Sequence, residues 1–376
     1  MNWSIKLFKI WGIEVKVHLT FALILVWAAY RWSGSTGEGL QGALFGVVAT
    51  LLLFTAVTLH ELGHSFQALK YGVRVRDINL MPLGGLARME SIPEKPGQEL
   101  RIAIAGPLVN FAIAGLLVLL GALLQVRSVI SFNELAQSFG RVSWSGMLAY
   151  LTMANLALGV FNLIPAFPMD GGRILRALLA MKMEYSRATS IAATIGQGLA
   201  WVFGLWGFLT GSYTLVLIAV FVWMGAGQEG KQSSLKGVLR EIKVGQAMTV
   251  APQTLSNQDS LNRAVELTLS TAQTDFPVVE SGEGTLAGLL TEIDLIKGLQ
   301  SAGHHSFVSG SMRTRFPTAT PEEPLYDAQK RMMEHRVRAM PVVDQNGRLV
   351  GFLTSSDANE AYQLLSAGAR LAPVAR

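Results

Sequence analysis

Thr58-Leu59-His60-Glu61-Leu62-Gly63-His64 closes an apolar run from Leu40 to Leu59, so two histidines four residues apart stand at the end of a helix long enough to cross a membrane. On a helix, residues at this spacing project about 40° from one another, which lets His60 and His64 offer two imidazoles to one cation with Glu61 beside it. Zinc takes neutral histidine nitrogens readily, and a catalytic zinc keeps one position for a water whose pKa falls to about 7. Glu61 is then placed to take that water's proton and pass it to a leaving amine. The alternative is a histidine pair satisfied within a polar helix. It is disfavoured because ionisable groups at membrane depth cost on the order of 3 kcal/mol each and mark working sites.

Outward from this segment the chain divides by composition. Its 376 residues are 50% hydrophobic and 15% charged, too apolar for a soluble protein of this length. Long apolar runs fill residues 18–226, whereas 231–376 is mixed and charged. The absence of cysteine excludes disulfide frameworks, thiolate metal sites and cysteine nucleophiles, so a metal here must use nitrogen and oxygen ligands. A net charge of +5 fits basic cytoplasmic loops, and with no Lys/Arg run interleaved with aromatics nucleic acid is not an expected partner. Lys6, Lys9 and Lys16 alternate with Ile5, Leu7, Phe8 and Ile10, which reads as a strand or interfacial segment rather than a cleavable signal.

Apolar segments lie at about 18–32, 40–69, 100–124, 144–164, 188–210 and 213–226, which predicts about six transmembrane helices. Lys6, Lys9, Lys16, Lys70, Arg74, Arg76, Arg173, Arg176, Lys182, Lys231 and Lys236 fall at alternate ends, and only Arg31, Arg127 and Arg141 fall opposite. The positive-inside rule then puts the N-terminus and the C-terminal region in the cytoplasm of a multi-pass cell-membrane protein. Between the second and third segments, the alternation from Val73 to Ile78 followed by Met81-Pro82-Leu83-Gly84-Gly85 predicts a small β-hairpin near the histidines. An open strand edge there is suited to an extended peptide; a plain cytoplasmic loop is the other reading.

The C-terminal part repeats. Phe276-Pro277-Val278-Val279 recurs as Met340-Pro341-Val342-Val343, Gly288 to Asp294 recurs as Gly351 to Asp357, and Ala247-Met248-Thr249 recurs as Ser311-Met312-Arg313. Each unit alternates helical patterns with short Val- and Leu-rich strands, the mark of a small α/β module. The expected organisation is a membrane domain over 1–226, a polar linker over 227–243, modules over 244–304 and 305–366, and a tail over 367–376.

A third ligand is needed for a catalytic zinc. Of the six histidines, His304, His305 and His335 belong to the repeats and His18 begins the first apolar segment, which leaves a carboxylate. Asp170 stands out, at the end of Asn162-Leu163-Ile164-Pro165-Ala166-Phe167-Pro168-Met169-Asp170-Gly171-Gly172, where two prolines interrupt a helix. Broken backbone at membrane depth is tolerated only against protein or a wet cavity. Asp170 as a simple cap of the next helix is the alternative.

These residues resemble the site-2 proteases, intramembrane zinc metalloproteases, of the subgroup with a C-terminal pair of CBS domains. His60-Glu61-Leu62-Gly63-His64 carries the resemblance together with Asn155 to Gly172, and Pro82-Leu83-Gly84-Gly85 also fits. The resemblance covers essentially the whole chain and implies one zinc held by His60, His64 and Asp170, Glu61 as general base and acid, and Asn162 orienting substrate or steadying the oxyanion. It implies regulated intramembrane proteolysis: peptide bonds cut in transmembrane protein substrates, often already trimmed by another protease, within the lipid bilayer. For the CBS pair it implies an adenine nucleotide, ATP or AMP, with Thr291, Asp294, Thr354 and Asp357 as the Thr-x-x-Asp residues, and homodimers through these domains. Helix capping is the structural alternative for those four residues. A transporter or channel gated by its CBS pair is the competing function, but ionisable groups spread over several helices or inverted repeats are expected of it, whereas here they concentrate in two short motifs.

Overall fold

The alternating residues at the N-terminus and those after the second apolar run belong to one sheet. In the computed structural model, which describes residues 3–82, 84–89, 93–126, 141–271, 273–280 and 284–366, β1 (Ser4–Ile10) and β2 (Ile13–His18) pair antiparallel around a turn at Trp11 and Gly12. Leu83, Arg127 and the expected tail at 367–376 lie outside the described residues. β3 (Val75–Met81) joins β2 in parallel, and β4 (Gly84–Met89) joins β3 antiparallel, giving the order β1-β2-β3-β4. The expected hairpin is therefore half of a larger sheet. One sheet face presents Ile13, Val15, Ile78 and Leu80 to Phe54, Leu62 and Ala68 of α2 (Gly39–Lys70). On the other face Lys16 donates to Asp77 at 2.9 Å, and Arg88 forks onto the same carboxylate with two bonds of 2.6 Å. Burial pushes the Asp77 carboxyl up, but Arg88 and Lys16 outweigh it and hold the group below the usual carboxylate range.

Among the described residues, the other helices of this region are α1 (Phe21–Thr36), α3 (Pro96–Leu123), α4 (Trp144–Asn162), α5 (Asp170–Ala180), α6 (Tyr185–Thr210) and α7 (Tyr213–Glu241). Among the described residues, five helical stretches are long and apolar enough to cross a membrane: α2, α3, α4, α6 and Tyr213–Lys231 of α7. The first expected span differs. α1 has 16 residues, a length of about 24 Å against a hydrocarbon core of about 30 Å. It nevertheless packs closely on α2, because Gly46 carries no side chain: a Cβ there would lie 2.7 Å from the carbonyl oxygen of Ala28. Trp201, Leu205 and Phe208 of α6 and Leu217 and Met224 of α7 point outward, an apolar surface suited to lipid rather than water.

A buried charge cluster joins four helices of this region. Arg176 of α5 donates to Glu99 of α3 at 2.8 and 2.5 Å and to Glu229 of α7 at 2.5 Å, and Tyr185 adds a bond to Glu99 at 3.3 Å. The segment 227–243, expected as a polar linker, is helical as far as Glu241.

The chain divides into two compact units, Met1–Lys231 and Gln232–Arg376. The second contains α8 (Val244–Ala247), β5 (Leu255–Ser256), α9 (Leu261–Ser270), β6 (Phe276–Val279), β7 (Leu286–Leu290), α10 (Glu292–Ala302), α11 (Leu325–His335), β8 (Ala339–Val343), β9 (Leu349–Thr354) and α12 (Ser355–Ser366). β6–β7 and β8–β9 are equivalent antiparallel pairs, as the repeat requires. Met312 lies over Gly288 as Met248 lies over Gly351: in both places a Cβ would meet the sulfur at 2.4 Å. Each repeat has its own core, one around Leu255, Phe276 and Leu290, the other around Leu325, Met340 and Leu353.

Candidate metal centre

His60 and His64 lie one turn apart on α2, and Asp170 is the first residue of α5. All three are buried. Their inward atoms form a near-equilateral triangle. His60 Nε2 and His64 Nε2 are 3.1 Å apart, and Asp170 Oδ2 stands 3.2 Å from the first and 3.1 Å from the second. The outward nitrogens are engaged as well: His64 Nδ1 is 2.7 Å from the carbonyl oxygen of Ile102, and His60 Nδ1 is 2.5 Å from Asn110 Oδ1, both partners on α3.

This arrangement is suited to a cation. A carbonyl oxygen only accepts, so His64 carries a proton on Nδ1, and as a neutral imidazole it turns a bare lone pair inward. With His60 neutral and donating to Asn110 in the same way, three acceptors face one another, a set that a metal ion, or a proton on one ring, would satisfy. The size also fits zinc, since a tetrahedron with arms of about 2.0–2.1 Å has edges of about 3.3 Å. The backbone of α3 closes over the rings at Gly106, where a Cβ would lie 2.1 Å from His64 Nε2.

Asp170 is held in position by the interrupted stretch before it. Phe167 is buried among Ala192, Ala193 and Ala226, which pins the turn to α6 and α7. Gly171 and Gly172 let the chain fold back on itself: a Cβ on Gly171 would lie 2.2 Å from the carbonyl oxygen of Ile164, and one on Gly172 2.6 Å from the nitrogen of Phe167. Glu61 lies beside the triangle under the sheet, since a Cβ on Gly85 of β4 would meet Glu61 Cγ at 2.7 Å. β4 is an edge strand, paired with β3 alone among the described residues. Asn162 is the last residue of α4 and is half-buried.

The partners Ile102, Gly106 and Asn110 were missed by sequence reasoning. Asn110 had a signal, being an amide in the middle of an apolar run, where polar groups serve a purpose. Ile102 had none, because its contribution is a backbone carbonyl.

In the second unit, Thr291 and Thr354 each accept from the amide of the aspartate three residues on, at 3.3 and 3.1 Å, so both pairs cap their helices. The copies differ in their cations. Asp294 Oδ2 and Oδ1 take bonds of 2.5 and 3.3 Å from Arg313, whereas Thr249 stands at the equivalent position of the first repeat. Burial raises the Asp294 carboxyl, but Arg313 and Thr291 outweigh it and keep the group below its ordinary range.

Membrane-length helices, a nitrogen and oxygen donor set and an adjacent carboxylate define a metal-dependent hydrolase built into a bilayer. Residues 48–203 match peptidase family M50, and residues 242–301 and 308–363 match the CBS domain. A zinc metalloprotease of Methanocaldococcus jannaschii is 35% identical over 370 residues, covering 97% of this chain and 98% of its own. A solved site-2 protease from the same organism is 45% identical and covers 61% of this chain and 95% of that one, with a TM-score of 0.44. The chain belongs to peptidase family M50, the site-2 proteases: it is a membrane zinc metalloprotease carrying a pair of CBS domains.

Proposed function

We propose that the protein hydrolyses peptide bonds within or beside transmembrane segments of other membrane proteins, with one zinc per chain held by His60, His64 and Asp170. The observation that carries this reading is the triangle of acceptor atoms 3.1 to 3.2 Å apart, beside a carboxylate on a membrane-length helix. Zinc bound there supplies Lewis-acid polarisation of a carbonyl oxygen and acidifies water. Glu61 accepts a proton from the attacking water as its oxygen adds to the carbonyl carbon. It then delivers that proton to the amide nitrogen as the C–N bond breaks, leaving a carboxylic acid and an amine. Asn162, at the end of α4, orients the substrate or steadies the oxyanion. In a helical substrate the scissile carbonyl is already hydrogen-bonded, so the segment unwinds first. The open edge of β4, whose Gly85 lies against Glu61, is suited to receive it by strand addition. The test is zinc content by mass spectrometry beside cleavage of a transmembrane test substrate with and without chelator. Cleavage that depends on bound zinc is expected; cleavage unaffected by complete removal of zinc would overturn the role given to His60, His64 and Asp170.

The proposed location is the cell membrane, with the N-terminus and CBS pair in the cytoplasm, on the asymmetry of basic residues between the ends of the spans. It requires α1 to cross, which a short helix does by thinning the bilayer locally. The chain has no cysteine, so single replacements report accessibility cleanly. Glu38→Cys should react with an impermeant thiol reagent added outside intact cells, and Arg74→Cys only after permeabilisation; the opposite pattern would reverse the topology.

For the CBS pair we propose an adenine nucleotide at the Thr291/Asp294 and Thr354/Asp357 pairs that modulates cleavage, and a homodimer through these domains. Substrates already trimmed by another protease suit a site with this burial. Replacing both Asp294 and Asp357 with Ala is expected to weaken ATP or AMP binding by at least tenfold in calorimetry, as two charge-assisted acceptors are lost. Unchanged binding would dismiss the nucleotide assignment.

A further inference from the structure

The bond between His60 Nδ1 and Asn110 Oδ1 places the lone pair of His60 correctly only if the Asn110 amide faces the right way. An asparagine amide is nearly symmetric in shape, and turned over it would offer NH2 to the ring, stabilise the wrong tautomer and direct an N–H into the triangle. Something must set its direction. Asn110 Nδ2 donates to Asn155 Oδ1 at 3.0 Å, and Asn155 Nδ2 donates in turn to the backbone carbonyl of Leu151 at 2.8 Å. Asn110 and Asn155 are 0% and 1% exposed, so water is not at hand as a substitute partner for either amide.

We propose that Asn155 is a positioning residue for the metal centre, and that the carbonyl of Leu151, acting through the amides of Asn155 and Asn110, sets the proton position of His60. The inference rests on the reading of His60 as a zinc ligand. Its logic is directional. The Leu151 carbonyl can only accept, so Asn155 must turn its NH2 toward it and its oxygen toward Asn110. Asn110 must then turn its NH2 toward Asn155 and its oxygen toward His60, which leaves the ring proton on Nδ1 and Nε2 bare. Any other orientation sets two donors or two acceptors face to face in a buried place. His64 needs no such relay, because Ile102 offers it a backbone carbonyl directly. The two ligand histidines of α2 thus receive the same instruction by different routes, one from α3 and one from α4 by way of α3.

The test measures zinc affinity by competition with a chromophoric chelator on the full chain in detergent. Asn155→Leu is nearly isosteric, and Asn155 hydrogen-bonds to neither histidine, yet the change should weaken zinc by about 10–100-fold, the range for loss of a group that orients a metal ligand. A packing role alone is separated by a second background. In Asn110→Asp the carboxylate accepts from His60 whatever stands at 155, so adding Asn155→Leu there should change affinity less than about threefold. Nitrogen-15 histidine spectra of the metal-free protein should show the His60 proton fixed on Nδ1 in the native chain and exchanging between ring nitrogens in Asn155→Leu. A native chain that binds zinc, with Asn155→Leu equally tight or equally costly in both backgrounds, would overturn this inference alone. A native chain that binds no zinc would overturn the metal reading and this inference with it.

Discussion

Glu61→Gln should keep zinc at the native level and slow peptide hydrolysis by about 10²–10⁴-fold, the usual contribution of a positioned general acid and base. The substitution preserves volume, so the close approach of Gly85 to that side chain is undisturbed. What changes is that an amide cannot take a proton from water or return it to the departing nitrogen. The three inward atoms belong to other residues, and their spacing does not depend on Glu61. The measurement is zinc per chain by mass spectrometry together with single-turnover cleavage of a transmembrane substrate. A variant as active as the native protein would remove Glu61 from the chemistry and reduce it to a buried spectator.

Asp170→Ala is expected to lose both the metal and activity, to near background. With the carboxylate gone, two imidazole lone pairs 3.1 Å apart remain, a donor set without charge and with two ligands in place of three. The expected readout is zinc falling from about one per chain to near zero, with cleavage reduced by at least about 10²-fold. A second readout separates loss of metal from loss of fold. Chelator should lower the melting temperature of the native chain, because binding free energy adds to folding free energy. It should leave Asp170→Ala unmoved. Full zinc occupancy in the variant would mean that another group completes the triangle.

The parts that could be read from the sequence are those in which a local pattern carries the information. The spacing of His60 and His64 on one helix is local, and Asp170 is marked by the two prolines before it. The hidden parts depend on pairing. Alternation marks Ile13 to His18 and Val75 to Met81 as strands, but nothing in either run says that they lie side by side in parallel. The first apolar segment, read as 18–32, is displaced to Phe21–Thr36 because His18 closes β2, which alternation alone does not announce. The segment after Gly227 looked like a linker because it is polar, yet polar residues continue a helix readily where one is already under way. Ile102 and Asn155 act on the site through a backbone carbonyl and through a second amide, and neither contact has a sequence pattern of its own.

His64 and Asp170 are 106 residues apart in the chain. At about 5–20 residues per second, translation of that interval takes roughly 5–20 s, during which α2 is made and α5 is not. The nascent chain therefore passes through a stage in which the histidine pair is present and the acid is missing. With the proposed ligand set, the delay is written into the order of the sequence: the three inward atoms come together only after the turn before α5 has been synthesised and drawn back against α2.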